Sequence, residues 1–88
     1  MNLANIKDKA ESLAAESVEL RRYLHTHPEP SWQEVETSRF IETKLRELGL
    51  KDIRRGFGGT ESGVIADLIG DASGPCVALR SDIDALPI

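Results

Sequence analysis

Residues 75–88, PCVALRSDIDALPI, narrow the folds open to this sequence more than any other stretch, because a short apolar run passes directly into two carboxylates. Cys76, Val77, Ala78 and Leu79 form an unbroken apolar segment, the pattern of a strand buried on both faces in a sheet that helices cover. Such strands lie in the middle of a sheet. Asp82 and Asp84 follow at a period of two, so a chain that stays extended sends both carboxylates from one face, just past the strand end. In open α/β sheets that carboxyl edge is where ligand sites collect. Two acids with only Arg80 beside them repel one another and favour protonation or a bound cation. The alternative is structural: both aspartates cap the turn before Pro87.

A chain of 88 residues suffices for one small domain with a thin core, since roughly 60 to 65% of the unfolded surface is buried at this size. With 40% hydrophobic and 30% charged residues and a net charge of -4, the composition is that of an ordinary globular chain without a basic footprint for nucleic acid. No apolar run is long enough to span a bilayer, and residues 1–10 lack the basic start and apolar core of a secretory signal, so a cytoplasmic location is expected. The one cysteine, Cys76, has no partner for an internal disulfide and is expected to be an inert core thiol.

From Leu3 the apolar positions fall at Leu3, Ile6, Ala10, Leu13, Leu20 and Leu24, which predicts one amphipathic helix capped by Asn2 or Asn5 and ending near His25. Pro28 and Pro30 cannot continue it. His25, His27 and Glu29 have the residue types of a metal site but not the three or four ligands that zinc needs, so a ligand role stands against a helix-end or hydrogen-bonded one. Ser31 and Glu34 read as a capping box opening a second helix, with Trp32, Val35, Ile41, Leu45 and Leu48 on its buried stripe and Gly49 closing it. Trp32 is expected to anchor that helix to the core. Residues 51–57 read as a short polar edge strand, and Gly56, Gly58 and Gly59 as a flexible connection with no phosphate-loop signature. Residues 63–69 and 76–80 then read as two strands whose short connection makes them antiparallel neighbours.

Three pieces of the sequence resemble one family. LRRYLHTHPEPSWQEVETSRFI at 20–41, GVIADL at 63–68 and ALRSDIDALPI at 78–88 are similar, in order and spacing, to the opening segments of the metal-dependent N-acyl-amino-acid amidohydrolases, the group containing hippurate hydrolase and indole-acetyl-amino-acid hydrolase. Ser81 and Ile83 depart from the usual alanine and methionine, and Glu61 and Ser62 lengthen the glycine loop. In the wider superfamily of aminoacylases and carboxypeptidases an H-x-D turn supplies a metal-ligand histidine and an aspartate that orients it. Asp82 stands in the histidine's place and Asp84 in the aspartate's.

The resemblance implies an α/β fold: two amino-terminal helices packed on a mixed sheet that includes an antiparallel hairpin, the first part of a larger three-layer α/β/α metallohydrolase catalytic domain, of which residues 1–88 are the amino-terminal portion. It implies hydrolysis of N-acyl-amino acids or related amides with a divalent metal, zinc or manganese. The metal set of the family lies in a C-G-H segment, a glutamate pair and further histidines, none within 1–88, so no metal is expected on this chain alone and the chain alone is expected to be inactive. Asp84, then Asp82, are the expected catalytic-site carboxylates, acting behind the metal ligands. The expected partner is a small-molecule amide, with no nucleic acid and no membrane, and a homodimer would form through a domain outside these residues. A non-catalytic α/β module holding a cation or a partner at the Asp82 and Asp84 edge is the rival reading.

Overall fold

The computed structural model describes residues 2–87 and gives an α/β arrangement of three helices and one hairpin: α1 (Leu3–Ser12), α2 (Ala14–Thr26), α3 (Val35–Glu47), β1 (Asp52–Arg55) and β2 (Val64–Asp67). Asn2 caps α1, its Oδ1 accepting from the Asn5 amide at 2.9 Å, as the sequence predicts. The single helix expected over 3–25 is broken at Leu13. There the Ser12 hydroxyl donates to the Lys9 carbonyl at 2.7 Å while the Leu13 amide is shared between Lys9 and Ala10, a serine back-bond of the kind that bends helices.

The second helix starts later than its sequence suggests. Ser31 and Trp32 lie in a turn, Trp32 takes a positive φ of 68°, and α3 begins only at Val35 with Glu34 at the N-cap and no side-chain bond from it. The Ser31–Glu34 capping box therefore does not form. Its work passes to Glu29, whose Oε2 accepts from the Glu36 amide at 3.1 Å and whose Oε1 accepts from the Thr37 amide at 2.6 Å. At the other end Gly49 adopts φ 98°, its amide donating to Arg46 at 3.0 Å and that of Leu50 to Leu45 at 3.1 Å. That is the two-bond C-terminal motif, and it needs a residue without a Cβ clash at Gly49.

The hairpin joins β1 to β2, antiparallel, with Asp52 opposite Asp67 and Arg55 opposite Val64. Within the expected strand 63–69, residues 64–67 do form an antiparallel strand, but its partner is 52–55; residues 68–87 carry no strand. The ladder extends past the strands, the Gly56 amide donating to the Gly63 carbonyl at 3.0 Å and that of Phe57 to Ser62 at 3.1 Å. The turn forms at Phe57, whose carbonyl accepts from the Thr60 amide at 3.1 Å.

Helix α3 lies against both strands, and polar groups do most of the joining. Ser38, fully buried at 0% exposure, donates to the Glu34 carbonyl at 2.5 Å and accepts from the Gly63 amide at 2.9 Å. A Cβ at Gly63 would come within 3.0 Å of the Phe57 ring, and its φ of 98° is left-handed, so the close approach requires glycine. Glu42 bridges Arg46 at 2.9 Å within α3 and Arg55 at 3.0 Å on β1. Among the described residues no hydrophobic side chain is fully buried. Trp32 is 67% exposed with its ring edge over Gly58, so it covers the glycine loop rather than anchoring α3 in a core, and Leu48 faces solvent. Residues 76–80 are exposed in the same way, Leu79 to 97%, and the Cys76 thiol is open to solvent instead of sitting in a core. The cause is that an apolar strand stays uncovered where no neighbouring strand pairs with it.

Candidate functional site

The end of α2, the start of α3 and residues 79–85 surround a cleft of about 720 Å³. Leu24, Ile41, Leu45 and Val64 give it apolar walls, and Arg21, His25, His27, Asp82 and Asp84 give it a polar rim. The sequence kept the two histidines and the two aspartates in separate segments; the fold brings them to one cleft. The join is a backbone bond, the Ala85 amide donating to the Glu29 carbonyl at 2.8 Å.

His27 is held firmly. Its ring stacks on Tyr23 at a centroid separation of 4.2 Å, and Tyr23 stacks in turn on Phe40 at 4.1 Å, which ties α2 to α3. Nδ1 lies 2.8 Å from the Tyr23 carbonyl and 3.0 Å from Thr26 Oγ1. A carbonyl only accepts, and the Thr26 hydroxyl is already donating to that same carbonyl at 2.9 Å, so Nδ1 carries the proton and Nε2 has the free lone pair in the neutral ring. The histidine thus has the hydrogen-bonded helix-end role that the sequence left open beside a ligand role.

The carboxylates differ from one another. Asp82 pairs with Arg80 at 2.9 Å, both side chains being largely exposed, whereas Asp84 makes no ion pair among the described residues. Glu29 is the better-supported acid. Burial works to raise its pKa, but hydrogen bonds from the Thr37 hydroxyl and from the Thr37 and Glu36 amides outweigh burial and hold the carboxyl below its ordinary value. Its capping role joins positions seven and eight residues apart, outside any local capping pattern, which is why the sequence did not reveal it. Ser38 was equally hidden, although a serine four residues after Glu34 on the inner face of α3 was a local signal for the back-bond.

Among the described residues no three His, Cys, Asp or Glu side chains converge as a metal site requires.

Comparison with known proteins gives the ancestry of the segment. It is 46% identical over 77 residues to the N-acetyl-L-cysteine deacetylase of Bacillus subtilis (strain 168), a match covering 88% of this chain and 18% of that protein. It is 39% identical over 88 residues to the N-acyl-L-amino acid amidohydrolase of Geobacillus stearothermophilus, covering 100% of this chain and 23% of the relative. The chain is a homologue of these amidohydrolases over the segment they share. The chain also matches thermostable carboxypeptidase 2 of Saccharolobus solfataricus, at 38% identity over 71 residues, 81% of this chain and 18% of that one. It spans roughly a fifth of the length of such relatives, 18% to 23%. No family model and no solved structure matches it. No helix among its described residues is long and apolar enough to cross a membrane.

Proposed function

We propose that these residues form one wall of the catalytic domain of an amidohydrolase acting on N-acyl-amino acids or related amides, with Asp84, and Asp82 beside it, presented at the substrate cleft. The observation that carries the reading is the identity of 39% across all 88 residues to an N-acyl-L-amino acid amidohydrolase. The cleft supports it. Apolar walls at Ile41, Leu45 and Val64 suit an acyl group, and the rim of Arg21, Asp82 and Asp84 suits the polar amide and carboxylate of the same small molecule. In this reading zinc or manganese and the remaining catalytic groups come from the part of the domain outside residues 1–88. Asp84 in this reading accepts a hydrogen bond from a donor that the rest of the domain brings to the cleft.

The test is a chimera in which residues 1–88 replace the matching segment of the Geobacillus stearothermophilus amidohydrolase. Turnover of N-acetyl and N-benzoyl amino acids is the expected result. A folded chimera with no turnover, set beside an active parent, would remove the reading and leave a non-catalytic module with its acidic edge at Asp82 and Asp84.

A further inference from the structure

Glu29 has two attachments that link separate parts of the fold. Its carboxylate sits on the first turn of α3, taking the amides of Glu36 and Thr37, and its carbonyl takes the amide of Ala85, the residue after Asp84. It stands between Pro28 and Pro30, whose rings fix their own φ near −65° and restrict the residue before each of them. One residue with a restricted backbone therefore carries both a side-chain anchor on α3 and the carbonyl that holds Ala85.

We infer that Glu29 is a positioning residue: by seating its carboxylate on the start of α3 it fixes the carbonyl that holds Ala85, and so places Asp82 and Asp84 at the cleft. The inference rests on the proposed amidohydrolase reading for its catalytic meaning, and on geometry alone for the clamp. Residues 82–85 have no secondary structure of their own, and among the described residues Asp82 is held by an exposed pair with Arg80 and a bond from its neighbour Ser81 to its carbonyl, both local to the segment. The Ala85 bond is the tether that reaches them from the helical layer. Glutamine keeps the length of the side chain and one acceptor oxygen but replaces the other with a donor, which cannot serve a backbone amide. Alanine removes both acceptors.

Two measurements on the same variants test it. In the 88-residue chain, amide exchange at Ala85 is followed by NMR in the parent, Glu29→Gln and Glu29→Ala, with helix content from circular dichroism as the control. In the chimera with the Geobacillus stearothermophilus amidohydrolase, kcat and KM are measured for N-acetyl amino acids. The expected result is faster Ala85 exchange at retained helix content, with kcat lowered roughly 10 to 100-fold and KM within about twofold in Glu29→Ala, and partial rescue in Glu29→Gln. Unchanged Ala85 exchange in a folded variant overturns the clamp, and so does a loss confined to KM. Where Glu29→Ala does not fold, Glu29→Gln decides by the same readouts. An inactive parent chimera would count against the amidohydrolase reading alone, and the Ala85 exchange would still decide the clamp.

Discussion

Ser38 Oγ accepts the Gly63 amide at 2.9 Å while donating to the Glu34 carbonyl, so one hydroxyl with no solvent exposure fastens α3 to the start of β2. Ser38→Ala leaves the half-buried Gly63 amide without its acceptor; the full penalty for an orphaned buried amide is about 1–3 kcal/mol, and the loss here is expected toward the lower end. Urea unfolding of the chimera with and without the substitution checks this. A change well below that range would show that the Gly63 amide reaches water once the hydroxyl is gone.

The Glu29 carboxyl lies below its ordinary pKa because the hydrogen bonds from Thr37 and Glu36 outweigh burial. The sign follows by linkage: a depressed folded pKa contributes stability that is complete above the unfolded value, roughly 4.3 for glutamate, and is lost as pH falls through the folded value. In the chimera, urea midpoints measured from about pH 6 to pH 3 are expected to fall more steeply in the parent than in Glu29→Gln. Equal slopes would mean that the carboxylate is not the acceptor at α3.

Glu42 joins α3 to β1 through Arg55, and its pKa is lowered, chiefly by the Arg46 hydrogen bond against the pull of desolvation, with both arginine charges adding to the effect. A double-mutant cycle on Glu42→Gln and Arg55→Gln is expected to give a small favourable coupling that shrinks as salt is raised, since the pair is reached by solvent. Coupling insensitive to salt would place the pair in a drier setting.

In the chimera, Asp84→Asn is expected to lower turnover by roughly 10 to 100-fold, as changes to groups that orient catalytic side chains do. Asp82→Asn should cost less, because Asp82 is already engaged by Arg80. An asparagine can still cap a turn, so turnover and melting temperature both unchanged in Asp84→Asn would make Asp84 a turn residue.

The 88 residues by themselves are expected to hydrolyse no N-acyl-amino acid, with or without added zinc or manganese, and to unfold with low cooperativity. No fully buried hydrophobic side chain stands among the described residues, and apolar burial is the main source of cooperative stability. Assay with a chelator control and calorimetry test the pair. Chelator-sensitive turnover, or a sharp transition from a clean monomer, would contradict it.

What the sequence determined alone is local. Asn2 at the first cap, the proline stop after α2, Gly49 at the end of α3 and the change of period beyond it each rest on interactions within a turn of chain, and each stands in the fold. The kinship with amidohydrolases was likewise legible, because it lies in the order of three short segments. Only the tertiary structure decided that β2 pairs with 52–55 rather than 76–80, that Glu29 rather than Ser31 caps α3, and that His25 and His27 share a cleft with Asp82 and Asp84. These depend on contacts between residues distant in sequence, for which periodicity carries no signal. The run from Cys76 to Leu79 shows the limit most plainly: its composition specifies a buried strand, but burial also needs a neighbour on each side, and the described residues provide none.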